Sequence, residues 1–301
     1  MAPDAGNRQS VEAGATTTVI AMLASHNRRQ KTVRCLTSLF DQSLDPAVRL
    51  RAVLVDGGSD DGTAAAVAGG FPDVDLIEGG EDLYWAGAMA LAERSAMASS
   101  PDFLFWLNDD VVLDRDALAR LIETSRSGRG GRCIAVGAMR DPSSGALTYS
   151  GLRRRGWHPL RHELFPPGAE PVEVETFNGN SVLVPIEVRL AVGPMDGGLV
   201  HSAADLDYGL RARRTGFANL LAPGTVGTCE RDGGRSPWLD SELSLRERLA
   251  LFLGPKGFPP RPRARYLRRH GGPAWPVIWL WTYLRRLPAV VRAGWAGDAD
   301  A

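Results

Sequence analysis

Closely spaced cysteines are missing from this sequence. Cys35, Cys133 and Cys229 stand 98 and 96 residues apart, which leaves no CxxC redox motif and no paired-cysteine metal knuckle, and the odd number points to a reducing compartment. Net charge is missing too. The 35 Lys and Arg balance the 35 Asp and Glu, so the global basic field of a nucleic-acid binder is absent. No stretch reaches the roughly 20 apolar residues that a bilayer crossing needs, and the nearest, Trp275 to Leu284, is cut by Arg285 and Arg286. The first fifteen residues, MAPDAGNRQSVEAGA, are small, polar and acidic where a signal peptide carries a basic and then an apolar region. The expectation is therefore a cytoplasmic chain. The 34 glycines and 20 prolines follow no period, which excludes a collagen-like or low-complexity protein.

What is present is enough for a large core: 301 residues, 44% hydrophobic and 23% charged, the size of one large domain or two modest ones. Its charge is uneven. From Arg246 onward eleven Lys or Arg face three acids, a local +8, and residues 1–245 carry −8. An acidic body suits a cation-using site, and a basic tail suits an anionic surface. From Thr18 short apolar runs (VIAMLAS, LRAVLVD, VDLIEG, FLFWLND, CIAVGAM) alternate with helical patterns at Gln30 to Phe40, after Thr63, at Trp85 to Met97 and at Asp114 to Ser125. That rhythm predicts βαβ units, an α/β fold with a mostly parallel sheet and flanking helices, and ligand-binding residues at the C-terminal strand ends. After Arg140 the runs VEVETF and SVLVP suit a mixed or antiparallel insertion. Beyond Ser236 the composition turns to Arg, Trp, Leu and Pro in three helical segments. The expected organisation is a disordered N-terminus over 1–15, an α/β domain over 16–235 and a helical extension over 236–301.

Two segments carry chemistry in their residues. In VLVDGGSDDGT, residues 53–63, a buried strand delivers Asp56 to the sheet edge, and Asp61 and Thr63 start a helix. The Asp56 carboxylate can accept a nucleobase N–H; the competing reading of Ser59, Asp60 and Asp61 is a turn with a helix cap. In FLFWLNDDVVL, residues 103–113, an apolar strand ends in Asn108, Asp109 and Asp110. Adjacent acids at a strand end need a partner, and a divalent cation is the one that tolerates two carboxylates and a diphosphate together. A solvated turn is the alternative.

With VIAMLASHNR at the first strand, these segments resemble the GT-A fold of the family 2 glycosyltransferases. The chain reads ASHNR at 24–28, VDGGSDDGT at 55–63 and NDD at 108–110, in the order and spacing of that family, and LYWAGAMALA at 83–92 is similar to the W-x-G-G-M segment of its rhamnosyltransferase-like members. The resemblance covers roughly residues 18–230 and is specific as a set. It implies a Rossmann-like GT-A catalytic domain over 16–235 and a nucleotide-sugar site at Ser25, Asn27, Arg28, Asp56, Ser59, Asp61, Trp85, Asn108 and Asp109. It also implies a DxD-like motif whose Asp110 holds Mg²⁺ or Mn²⁺. On the acceptor side, SAADLDYGLRARRTGF places Asp205 on the family's catalytic base and Asp207 on the downstream acid, with Ala204 where the family has Glu. Asp207 and Arg211 are four apart and can pair, which makes Asp207 structural and leaves Asp205 as the base. Where many members carry a His after the last core strand, this chain offers Cys229, Glu230 and Asp232. His201 precedes the acceptor helix and is left outside the site.

The implied activity is that of an inverting, metal-dependent glycosyltransferase of hexosyltransferase type. It would move a sugar from a UDP-, dTDP- or GDP-linked donor to a hydroxyl of a glycan or lipid-linked acceptor in bacterial cell-surface glycan synthesis, without nucleic acid. A non-catalytic nucleotide-sugar-binding or scaffold protein is the alternative, on the strength of Ala204 and the missing His. A nicotinamide oxidoreductase should show G-x-G-x-x-G after the first strand, and ASHNRRQ has no glycine. In the C-terminal segment the arginines at 261–269 and Trp275, Trp279, Trp281 and Tyr283 combine cations with amphipathic rings. Peripheral contact with the inner face of the plasma membrane and helix packing, on the domain or in a homodimer, are equally expected.

Overall fold

The computed structural model describes residues 16–292, apart from 157, 159–160, 201–202 and 232–235. The expected disordered N-terminus, His201 and Asp232 lie outside the described residues. In chain order come β1 (Thr17–Ser25), α1 (Arg29–Phe40), β2 (Val48–Asp56), α2 (Thr63–Gly70), β3 (Val74–Glu78), α3 (Tyr84–Met97), β4 (Phe103–Leu107), β5 (Val112–Leu113), α4 (Ala117–Ser127) and β6 (Ile134–Arg140). Then follow β7 (Leu147–Tyr149), β8 (Gly151–Arg154), β9 (His162–Leu164), β10 (Val172–Val174), β11 (Thr176–Phe177), β12 (Ser181–Pro185), α5 (Ile186–Val192), α6 (Ala204–Arg214) and β13 (Asn219–Thr228). Three helices close the described chain: α7 (Leu245–Leu253), α8 (Pro260–His270) and α9 (Trp275–Arg292). The helical patterns read from sequence fall within a few residues of α1 to α4.

The main sheet has the order β10-β13-β6-β12-β4-β1-β2-β3, with β5 and β7 added at one end. Of the seven strands from β13 to β3, six point the same way and only β12 opposes them. A smaller sheet, β11-β8-β9, is antiparallel, but of the runs expected in a mixed or antiparallel insertion VEVETF divides between the main sheet (β10) and this one (β11), and SVLVP is β12, inside the main sheet and antiparallel to both its neighbours. Because β12 runs backwards, its first residue Ser181 pairs with the last residue of β4, Leu107. The start of β12 therefore shares an edge with the C-terminal ends of β1, β2 and β4.

The central strands are apolar throughout because both faces are covered. Alternate residues of β1 divide between two cores. Ile20 and Met22 join α3, α6 and the C-terminal helices through Ala86, Met89, Tyr208, Tyr266, Leu267 and Ile278, while Val19, Ala21 and Leu23 pack with α1 and α4. Trp106 of β4 meets Tyr208 of α6 edge to face, with centroids 4.9 Å apart. Phe252, Tyr283 and Val290 form a small separate cluster among the C-terminal helices.

Candidate active site

Two loops at the strand ends are laced together. The β1–α1 turn needs a left-handed residue, Asn27 at φ +52°, and asparagine tolerates that conformation. Its backbone N–H donates to Ser59 Oγ at 2.9 Å, and its side-chain oxygen accepts the Asp60 N–H at 2.9 Å. Asp61 accepts the Arg29 N–H at 2.8 Å and the Thr63 N–H at 3.0 Å. The Thr63 hydroxyl, ahead of the Arg29 amide, holds the Asp61 carboxyl below its usual range. Asp61 thus serves the first residues of α1 and α2 from outside either helix, while the N-cap position of α2 is Gly62, which carries no side-chain cap. Asp56 is buried at the end of β2 and accepts the Ser59 N–H at 3.0 Å and the Ser59 hydroxyl at 2.5 Å.

At the end of β4 the two acids face a guanidinium. Arg28 Nη1 lies 3.3 Å from Asp109 Oδ1 and 3.0 Å from Asp110 Oδ2. Burial raises the Asp109 carboxyl to about 6; Arg28 opposes that rise, the charge of Asp110 adds to it, and a hydrogen bond from Ser25 lowers it. Ser25 is itself fixed by Thr32, oxygen to oxygen at 2.8 Å. The second oxygen of Asp109, Oδ2, is buried with no hydrogen-bond partner. Such a group is a debt that a ligand can settle. Among the described residues no group of three or more His, Cys, Asp or Glu is placed to hold a metal. Two carboxylates with one orphaned oxygen still fit Mg²⁺ or Mn²⁺, because such ions take one or two protein carboxylates and complete their shell with substrate phosphates and water.

Asp205, at the start of α6, is joined to these acids through one tryptophan. Trp85 Nε1 donates to Asn108 Oδ1 at 3.0 Å. Its ring edge meets Gly179, where a Cβ would fall 2.7 Å from Trp85 Cη2 and 3.3 Å from Asp205 Cβ. Only glycine fits there. The Gly179 N–H donates to Asp205 Oδ2 at 3.0 Å, and the Leu206 N–H to Asp205 Oδ1 at 2.8 Å. Burial outweighs these bonds and raises the Asp205 carboxyl, in the direction a general base uses.

Asp207, two residues on, lies in a different environment. It is fully buried and accepts Arg211 Nε at 2.7 Å, His270 Nε2 at 2.9 Å and Arg269 Nη1 at 3.0 Å. Burial raises its carboxyl, but His270, Arg211 and Arg269 together bring it down to about 2. The pairing with Arg211 read from the sequence is present. Its partners on α8 were not foreseen, since nothing local at Asp207 announces residues 62 and 63 positions away. Asp196, capping the turn at Gly197–Leu199, receives Arg265 Nε and Arg269 Nη1, both at 2.6 Å.

One further residue escaped the sequence reading. Asn180 gives its carbonyl to the Asn108 N–H at 3.1 Å; the signal was the NGN triplet ahead of SVLVP. Cys229, one of the three residues read from the sequence in place of a downstream His, follows β13, and its thiol points to Asp110 Oδ1 at 3.4 Å. Glu230 meets Lys31 at 3.3 Å on the surface. The structure thus gathers Ser25, Arg28, Trp85, Asn108, Asp109, Asp110 and Asp205 in one linked group, with Asn27, Asp56, Ser59 and Asp61 in the adjoining loops.

The architecture is that of the GT-A glycosyltransferases. Residues 21–168, just under half of the chain, match the profile of Glycosyl transferase family 2. The structure of GalNAc-T7 with UDP, GalNAc and Mn²⁺ superposes on 80% of this chain and 48% of that one, with a TM-score of 0.56 and 14% identity. The present chain thus spans about half the length of that protein. The mannosyltransferase PcManGT from Pyrobaculum calidifontis, in complex with GDP-Man and Mn²⁺, superposes on 94% of this chain and 75% of that one, with a TM-score of 0.51 and 19% identity. At these identities the likeness is one of fold. A search among curated proteins finds no match to this chain.

Proposed function

We propose that this protein is an inverting family 2 glycosyltransferase that takes its donor as a nucleotide-diphosphate sugar with Mg²⁺ or Mn²⁺. The observation that carries the reading is the Trp85 bridge. It ties Asn108, and with it the acidic pair, to Gly179 and Asp205, so that donor-side and acceptor-side carboxylates flank one ring. The GalNAc-T7 and PcManGT structures, which hold UDP or GDP-Man with Mn²⁺, support the choice of donor class and ion.

In this reading Asp56 and the loops laced by Asn27, Ser59 and Asp61 border the base. Asp109 faces the ribose or donor sugar, Asp110 takes the cation, and Arg28 adds positive charge beside the diphosphate. The bound cation would neutralise charge on the departing diphosphate, a Lewis-acid contribution of several kcal/mol. Asp205, with its pKa raised by burial, removes the proton of the acceptor hydroxyl. The oxygen then attacks the anomeric carbon from the face opposite the diphosphate, and a single displacement inverts the configuration. A rhamnosyltransferase-like specificity and a role in bacterial cell-surface glycans are part of the proposal and rest on the YWAGAM segment.

A membrane-proximal acceptor is supported by α9. Its inner face buries Ile278, Thr282, Tyr283 and Val290, and Trp279 and Tyr283 donate to the Pro260 and Phe258 carbonyls. Its outer face leaves Val277, Leu280, Trp281, Leu284 and Val291 exposed. Of the aromatic set read from sequence, Trp281 is thus the exposed one, at 58%. No helix among the described residues is long and apolar enough to cross a membrane.

The test is a panel of UDP-, dTDP- and GDP-sugars with Mg²⁺ or Mn²⁺, scored for thermal stabilisation and slow donor hydrolysis. Cation-dependent stabilisation with hydrolysis supports the enzyme. Stabilisation without hydrolysis or transfer would instead favour the sugar-nucleotide-binding alternative, to which Ala204 gives some weight.

A further inference from the structure

The oxygens of the two acids at the end of β4 are largely claimed by groups of the protein itself. Arg28 Nη1 is shared between Asp109 Oδ1 at 3.3 Å and Asp110 Oδ2 at 3.0 Å. Among the described residues no other Lys or Arg lies within salt-bridge reach of either carboxylate. The second Asp110 oxygen, Oδ1, faces the Cys229 thiol at 3.4 Å, so both oxygens of the residue read as the metal ligand already have a donor. Asp109 Oδ2 has none, and it is buried. The acid side chains are covered, at 7% and 11% exposure, whereas that of Arg28 is 40% exposed.

A divalent cation on this pair either takes Asp110 Oδ2 from Arg28 or sits beside the guanidinium. Two negative charges would then face three positive ones, and like charges at such range repel. A diphosphate restores the balance. Arg28 stands on a fixed base: at the N-cap of α1 its carbonyl accepts the Thr32 N–H at 2.9 Å and the Thr32 hydroxyl at 3.0 Å, and the next N–H is held by Asp61 at 2.8 Å. What can turn is the half-exposed side chain. A guanidinium presents a planar fork of N–H donors that matches phosphate as well as carboxylate, so a diphosphate at this edge competes for it directly.

We propose that Arg28 guards the acidic pair: it opposes the divalent cation until the donor's diphosphate draws the guanidinium onto its own oxygens, so that cation and nucleotide bind as a coupled pair. The proposal rests on the reading of Asp109 and Asp110 as the cation site and names how entry to that site is controlled.

The experiment uses the full chain with Mn²⁺ as the probe, its unbound fraction read by electron paramagnetic resonance, alone and with UDP, dTDP or GDP. Nucleotide binding with cations chelated is read by calorimetry. R28Q should bind Mn²⁺ alone about tenfold more tightly than the wild type, the effect of removing one partly screened positive charge beside it. It should bind nucleotide without cation about tenfold less tightly, so the two ligands move in opposite directions. K31Q removes a charge from the first turn of the same helix, where Lys31 is paired with Glu230, and should leave the binding of Mn²⁺ alone as in the wild type. Nucleotide affinity that does not fall in R28Q overturns the proposal, and so does equal tightening of Mn²⁺ in K31Q, which would make the effect one of diffuse charge. If R28Q does not fold, R28M, which keeps the aliphatic stem, is held to the same outcomes. Should R28Q bind Mn²⁺ alone no more tightly than the wild type while nucleotide still enhances uptake, the guard is overturned and the cation site stands. Should the wild type take up no Mn²⁺ with any of the nucleotides, the cation site is overturned and the guard with it.

Discussion

Replacing Asp207 by Asn separates the two acids at the start of α6, because they are asked to do opposite things. Asp207 touches Arg211, Arg269 and His270, and its carboxyl stands at about 2 against an ordinary 3.8. That difference makes the charged form worth about 2 kcal/mol of stability at neutral pH. Removing the charge also strands its partners, and breaking a buried ionic group costs about 3–5 kcal/mol. For a chain of this length the melting temperature should fall by about 5–8 °C. The sign of the pH dependence follows from the lowered pKa. The stabilisation is complete above the ordinary carboxylate range and is lost as pH falls toward about 2. The gap between wild type and D207N should therefore be widest near neutrality and close in acid. Calorimetric or fluorescence melts at neutral pH and in acid, with transfer assayed well below the variant's melting point, check both arms. If D207N melts like the wild type while transfer collapses, then Asp207 and not Asp205 is the proton acceptor, and the assignment of the two acids is reversed.

For D205N the expectation is the converse: transfer falls by roughly 10²–10⁴-fold with donor affinity nearly unchanged, and steady-state kinetics with donor titration will show it. D110N should abolish turnover and cation-dependent nucleotide binding with the fold intact by circular dichroism; transfer at the parental rate would remove the cation from Asp110. G179A should impair transfer, because its Cβ displaces the Trp85 ring that holds Asn108, and near-normal activity would show that the ring position is not critical. L280E with W281E should weaken sedimentation with anionic vesicles without changing the melt, since both side chains are exposed. Unaltered sedimentation would turn that face of α9 toward a protein partner.

The parts of this fold legible in the sequence were those written in short range. Strands such as FLFWL announce themselves because both faces are buried, and Asp109 and Asp110 stand out because acids interrupt such a run. The loop motifs were legible as motifs. Their bonds to one another were not, because Asn27 and Ser59 meet across 32 residues. Pairing order was hidden for the same reason. SVLVP reads as a strand of an antiparallel insertion, and nothing in it says that it will lie between β4 and β6 in the main sheet and so bring Gly179 and Asn180 to the strand ends. The tail was the hardest part, since α8 turns Tyr266 and Leu267 into the main core and extends Arg269 and His270 to Asp207, while its composition reads as a solvated basic surface.

The clasp on Asp207 also has a consequence in time. A chain is made from its N-terminus, so α6 and the whole sheet exist before residues 269 and 270 have been added. Until they arrive, the buried carboxylate has only Arg211, and the first turn of α6, which carries Asp205, lacks the bonds that fix it. On the proposed reading, the nascent protein can hold its donor loops complete before the turn that carries Asp205 is set. Under the proposed function, synthesis of the last helices is the step that completes the site, and ribosome-bound chains stopped short of residue 270 should bind donor without transferring it.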